Sequence, residues 1–206
     1  MVTREADLAM VHRAIDSCSV CAAFAGPTFV KIVGLRRGGP APIVIIGQGP
    51  GRKESENKQA FAGPAGTVLD RWLVASGADA SNPRERLYLT SLIKCGCALT
   101  SEYWRMVGNC DHFLVSQLTL IRPSLVITLG RYAYEWIRED QLSYDRAVCA
   151  NLQVGLNPLL ARFDFAFEVL PWPHPSPANN AMLTRPDIQL RMRESFEIVR
   201  RHLYHP

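Results

Sequence analysis

The chain has no apolar run approaching the roughly 18 residues that cross a bilayer as a helix, so the expectation is a protein with no membrane partner. It has no internal repeat and no low-complexity tract, which leaves solenoids and disordered arrays aside. Its glycine-rich turn, "GQGPG", lacks the third glycine of GxGxxG, and no GK[ST] follows. A phosphate-cradling nucleotide enzyme is therefore a weak rival reading. A second CxxC is missing as well, so the one "CSVC" has no partner of the same kind. The opening "MVTREADLAM" carries charges of both signs and no signal core, and the expected compartment is cytoplasmic.

What is present fits one globular domain over residues 1–206, expected to be a monomer. Apolar residues make up 48% and charged residues 20% of the 206, and the formal charge of +4 mildly favours an acidic partner such as nucleic acid. Six cysteines in a chain with no secretion signal argue for metal, redox or catalytic use over a disulfide framework.

Four short β-branched runs end in turn residues: "APIVIIGQGPG", "RLYLTSLIKC", "PSLVITLG" and "FEVLPW". Helical spacing appears between them. Val68, Leu69, Trp72 and Leu73 form one stripe; Phe113, Leu114, Gln117, Leu118 and Ile121 form another; Ile188 to Leu203 forms a third. Strands alternating with helices predict an α/β fold, a three-layer α/β/α sandwich around a central four-stranded parallel sheet. Residues 139–165 give no clear pattern and read as an insertion. Ligands of such sheets bind beyond the carboxyl ends of the strands, which places "GQGPG", "TSLIKC", "TLGRYA" and "PHPSP" together. One of these continues as "HPSPANNAMLTRP", a proline-stiffened loop with a histidine at its root and an apolar tip.

Two residues separate Cys18 from Cys21 and fourteen separate Cys95 from Cys110, and Cys97 and Cys149 complete the six. Four thiolates suit zinc or an iron–sulfur cluster, and buried unliganded cysteines are the plain alternative. With these motifs the chain resembles the uracil-DNA glycosylase superfamily, most closely its iron–sulfur branch, family 4, with family 5 nearby. "CSVC", "LIKC" and "GNC" match that branch's cysteine layout. The resemblance thus implies Cys18, Cys21, Cys95 and Cys110 as ligands of a structural [4Fe-4S] cluster, with zinc as the alternative and Cys97 as a conceivable substitute ligand. "GQGPGRKESENKQAFAGPAG" is similar to the family's first motif and "HPSPANN" to its second.

The resemblance implies a DNA glycosylase that extrudes a nucleotide and holds its base in a pocket. Phe61 would stack on the base, with Gly47 and Gly49 of the turn presenting backbone N–H groups and Gln48 lining it. His174 would donate a hydrogen bond to the departing base, where a preorganised donor gains most. Ser176, Asn179, Asn180 and Arg185 would contact DNA, with Met182 or Leu183 as the wedge filling the vacated stack. A structural histidine, a core phenylalanine and a solvated loop are the plain alternatives for these residues.

Two departures from the family pattern stand out. Neither Gln48 nor Gly49 is acidic, where relatives place a water-activating carboxylate; Glu54 or Glu56 would have to reach back. Ser91, in "TSLIKC", stands where uracil-reading relatives carry asparagine, whose amide donates and accepts at once. Ser91 together with Gly49 and Ala62 suggests a roomier pocket and a modified or bulky pyrimidine as target, as in relatives that attack modified phage DNA. A conventional uracil-DNA glycosylase and a non-catalytic DNA-binding protein of the same fold remain the alternatives. No lysine occupies a motif position suited to Schiff-base chemistry, so the activity is expected to be monofunctional.

Overall fold

The computed structural model describes residues 2–23, 41–96, 101–138, 142–154 and 163–204. Its elements are α1 (Val2–Ser17), β1 (Ile43–Gly47), α2 (Arg52–Asn57), α3 (Pro64–Ala75), β2 (Leu87–Ser91), α4 (Tyr103–Ile121), β3 (Leu125–Leu129) and α5 (Arg131–Ile137). They continue with α6 (Tyr144–Ala147), β4 (Leu152–Val154), β5 (Phe167–Trp172), a 3-10 turn at Pro177–Asn179, α7 (Asn180–Leu183) and α8 (Pro186–Tyr204). Among the described residues, no helix is long and apolar enough to cross a membrane.

The four β-branched runs form β1, β2, β3 and β5, all mutually parallel, in the order β2-β1-β3-β5. A fifth strand corrects the expected four. β4, from the stretch read as an insertion, pairs antiparallel with the start of β5, Gln153 facing Glu168. Three residues are too few for a two-residue period to register in sequence. What places them is the open edge of β5, whose backbone groups need partners.

Alternation along the strands divides the core in two. Val44, Ile46, Tyr88, Val126 and Val169 pack with Leu8, Met106, Leu114 and Leu118 on one face. Ile43, Ile45, Leu87, Leu89, Ile127, Leu170 and Trp172 pack with Leu69, Leu73, Ile188, Met192 and Val199 on the other. Helices α1, α4 and α5 thus cover one side, and α3, α6 and α8 the other, as three layers require. Leu8 and Ile15, seven residues apart on one face of α1, are buried, and His12 Nε2 meets the Tyr88 hydroxyl at 2.7 Å. The segment carrying Cys18 and Cys21 follows directly from that anchored helix.

The chain leaves β1 to one side for β2 and later returns on the other side as β3. Such a reversal opens a crevice at the carboxyl edge of the sheet.

Leu69, fully buried between α3 and the sheet, tests this packing. Leu69→Ala is expected to lower the unfolding free energy by about 2–5 kcal/mol. In urea unfolding this appears as an earlier midpoint with an unchanged slope.

Candidate active site

A cavity of about 300 Å³ opens in that crevice, with walls that include Gln48, Glu54, Phe61, Ser91, Tyr103 and His174. Its volume is at the lower end for small-ligand clefts. The loops after β1, β2 and β5, which the sequence places together, do meet here.

Phe61 reaches the cavity through an unusual backbone. Its φ is +53°, in the left-handed region that costs a non-glycine residue about 1–2 kcal/mol. Its ring lies so close over the end of β1 that a Cβ on Gly47 would stand 2.9 Å from Cζ. A Cβ on Gly66 would collide with the Phe61 carbonyl. Arg84, which the sequence reading missed, holds this arrangement. Its guanidinium donates to the carbonyls of Ala60 and Phe61, each at 3.0 Å, and grips Asp70 through Nε at 2.6 Å and Nη2 at 2.9 Å. Hydrogen bonds from a charged donor in a largely buried place contribute about 1.5–3 kcal/mol each. Two of them outweigh the cost of the left-handed backbone. The sequence signal was slight: an arginine fourteen residues from its aspartate.

His174 follows β5 and is well shielded from solvent. The Ser176 backbone N–H donates to its Nδ1 at 3.2 Å, so in the neutral ring the proton belongs on Nε2, making that atom a donor. Burial pushes the imidazole pKa below its ordinary value, and the negative charge of Glu54 pulls it partly back. Burial is the larger effect, so the ring is a neutral donor at physiological pH.

Glu54 is the carboxylate that turns to the cavity. Its Oε1 accepts the Gly63 N–H at 3.0 Å. Its Oε2 lies over Gly51, where a Cβ would stand only 2.7 Å away. Glu56 does not reach back: it pairs with Lys53 at 2.8 Å and Arg52 at 3.6 Å on the exposed face of α2. Gln48 lines the same wall, with Nε2 near Gly130, a positive-φ glycine (+85°) that itself abuts His174.

The roomier-pocket reading needs two corrections. Gly49 leaves no space, because Ile93 occupies it: a Cβ there would stand 2.5 Å from Ile93 Cγ1. Ala62 lines the neighbouring clefts and not this cavity. Ser91 does line it, and its hydroxyl donates to the Ile93 carbonyl at 2.7 Å, leaving lone pairs as its remaining capacity. Lys94 is fully buried, donates to Thr90 Oγ1 and the Ser91 carbonyl, and does not line the cavity. Burial pushes its pKa down to about 7, with Cys110 opposing.

The histidine loop is more ordered than a solvated tip. It forms the 3-10 turn and then α7. Ser176 lines the cavity. Asn179 does not project outward; its amide donates to the His174 carbonyl at 3.1 Å and closes the loop on itself. Met182 packs against the core and Leu183 is half-buried, so neither stands out as a wedge. Asn180 is exposed at the start of α7. Arg185 is exposed and held by Asp187 at 2.7 Å, a surface pair that contributes at most about 1 kcal/mol.

Cys21, Cys95 and Cys110 are buried in one core cluster, and Cys18, half-buried, follows α1; none is in a disulfide. Burial pushes the Cys110 thiol pKa up, Lys94 lowers it, and the nearby Cys21 and Cys18 raise it further. Asn109 donates to Cys21 Sγ at 3.5 Å. Cys18 and Cys21 after α1, Cys95 after β2 and Cys110 on α4 are soft donors of the kind that suits a thiolate-held group. Among the described residues, no set of three or more His, Cys, Asp or Glu is close enough to hold a single metal ion. Cys97 lies outside the described residues.

Two measurements follow from this geometry. In NMR titration His174 should keep its proton on Nε2 and titrate below the ordinary value near 6.5. The unfolded chain then binds a proton that the folded one refuses. The stability contributed is fully present above about pH 6.5 and is lost as pH falls towards the folded pKa. Arg84→Met, which strands Asp70 and two carbonyls, should lower unfolding free energy by about 1–3 kcal/mol. Arg84→Lys should restore only part of it, because an ammonium cannot reproduce the fork.

The model of the uracil DNA glycosylase superfamily matches residues 37–197. A type-4 uracil-DNA glycosylase of Archaeoglobus fulgidus is 35% identical over 129 residues, 62% of this chain and 61% of that protein. Type-4 uracil-DNA glycosylases of Thermotoga maritima, 31% identical over 137 residues (65% and 67%), and of Saccharolobus solfataricus, 33% identical over 98 residues (47% and 44%), also match. The matched region thus spans less than two thirds of the Archaeoglobus relative's length. With its three-layer sheet, its cavity at the strand reversal and a family match over most of its length, the chain belongs to the uracil DNA glycosylase superfamily.

Proposed function

We propose that this protein is a monofunctional DNA glycosylase that extrudes a nucleotide and hydrolyses its N-glycosidic bond. The observation that carries the reading is the convergence of Phe61, His174 and Glu54 on one base-sized cavity. Phe61 stacks on the extruded base. As the bond to C1′ breaks, negative charge gathers on the base, and the Nε2–H of His174 donates to its carbonyl oxygen. A neutral donor is suited to this, because it strengthens its bond as charge develops without giving up the proton. Glu54 faces the cationic sugar, orients a water molecule towards C1′ and takes up the proton that the water releases. The leaving base is protonated in turn, which balances the hydrolysis. Gln48, beside His174, contributes a further amide to the same wall. Among the described residues, no lysine lines the cavity.

The target we favour is a modified or bulky pyrimidine. Support comes from Ser91, whose side chain is shorter than asparagine and whose hydroxyl is already donating to Ile93. It offers the base an acceptor alone, so it meets an N–H edge without the paired donor–acceptor pattern that singles out uracil. A role against modified phage DNA would follow from such a target. The second reading, excision of plain uracil in repair, is favoured by the names of the relatives.

We also assign Cys18, Cys21, Cys95 and Cys110 to a [4Fe-4S] cluster, with zinc as the alternative. Such a group would tie the end of α1 to β2 and α4 as a structural staple. Buried Lys94 lies beside Cys110, and its ammonium form favours the thiolate. Iron and sulfide analysis of the brown or colourless protein decides between the two.

Excision from synthetic DNA carrying uracil, 5-hydroxymethyluracil or 5-hydroxymethylcytosine, read as alkali-labile sites, tests the function. His174→Ala and Glu54→Gln should each lower kcat by about 10²–10³-fold. Efficient uracil release with none from modified bases retires the modified-base target. DNA binding with no release from any substrate retires the enzyme and leaves a binding protein.

A further inference from the structure

Extruding a nucleotide leaves its neighbours partly unstacked, at a cost of a few kcal/mol. The histidine loop offers no large exposed apolar group to offset it, since Met182 packs on the core and Leu183 is half-buried. Trp104 has the exposure that these residues lack. It is 47% exposed although tryptophan is among the side chains most buried on average.

Its position ties it to the cavity. Tyr103, the preceding residue, lines the cavity and donates its hydroxyl to the Gln48 carbonyl at 3.2 Å. The Trp104 ring packs edge-on against Tyr103 at 5.6 Å between centroids and against Tyr132 at 5.6 Å; the two tyrosines are 5.1 Å apart. Tyr132 is the second residue of α5, which follows directly on Gly130, the glycine that abuts His174. Tyr103, which lines the cavity, and Tyr132, packed on it, therefore hold the indole beside the cavity. A lone exposed apolar residue needs no explanation, but one held by two such rings on the rim of a base pocket is a preorganised surface. Arg105, next to Trp104 in sequence, and Arg131, next to Tyr132, are exposed and joined to Glu102 at 3.4 Å and Asp145 at 3.8 Å. Pairs so exposed are weak enough for a phosphate to replace the carboxylate.

We propose that Trp104 is a stacking platform for a nucleobase adjoining the one extruded into the cavity, with Arg105 and Arg131 flanking its backbone phosphates. This rests on the reading of the cavity as a base pocket, and the test separates the two. The full-length protein is titrated with a single-stranded thymidine oligonucleotide containing a tetrahydrofuran abasic site, and tryptophan emission is followed. Excision kinetics are measured in parallel on the best substrate of the panel. Of the four tryptophans, Trp136 and Trp172 are buried and Trp72 is half-buried against Trp172, so quenching should report mainly on Trp104, the one with the greatest exposure. Trp104→Leu should abolish most of the quenching and raise the half-saturating DNA concentration and KM by about 5- to 150-fold, the worth of stacking one base. Trp104→Tyr should recover much of the loss, and Leu190→Ala, at an exposed apolar site on α8, should change neither quantity. Quenching that depends on Trp104 without release of any base upholds the platform and removes the glycosylase. Excision and quenching unchanged in Trp104→Leu overturn the platform and leave the glycosylase standing.

Discussion

The cavity exists because an aromatic ring is pressed onto the end of β1 at a distance that only glycine tolerates. Phe61 can sit there only with its backbone left-handed, and it stays there because Arg84 bridges its carbonyl, the Ala60 carbonyl and the Asp70 carboxylate. The ring forms one wall; the turn Gly47–Gly51 beneath it forms the floor. Removing the arginine withdraws both of these donors and leaves the strain of that backbone without their compensation. The position of the ring proposed to stack on the base thus depends on an ion pair that does not itself line the pocket.

Electrostatics completes the site with few charges. The two principal polar groups have opposing influences: burial keeps the His174 ring neutral, and Glu54 favours its protonation. That burial prevails is what makes the ring a hydrogen-bond donor with nothing to discharge. The Ser176 N–H on Nδ1 fixes which nitrogen donates, and Asn179 fixes the loop that carries the ring. Residues that resemble DNA contacts in sequence are, in Asn179 and Arg185, first committed to the protein itself.

Much of the fold was legible because each main strand is a compact β-branched run and each main helix a clear stripe. Trp72 and Leu73 in α3, and Leu114 and Leu118 in α4, lie where their spacing puts them. β4 was not legible, since its existence answers the open edge of β5 more than any pattern of its own. The conformation of the loop after His174 was not legible for a related reason: Met182 lies in a helical turn that packs on the core, and four residues are too few to show a period.

Sequence alone determined the family motifs, the four parallel strands and the gathering of their following loops at one edge, because these depend on local residue types and on the rule that parallel strands share a direction. Tertiary structure decided which side chains face the cavity. Glu54 and Glu56 look interchangeable in "RKESENKQ", yet two positions on a helix are about 200° apart, so only one of them can face inward. The orientation of α2 between Gly51 and Gly63 selects Glu54. The same holds for Arg84 and for the meeting of Trp104 with Tyr132: these partners are brought from other elements, and no spacing along the chain encodes a meeting that depends on how helices lie across a sheet.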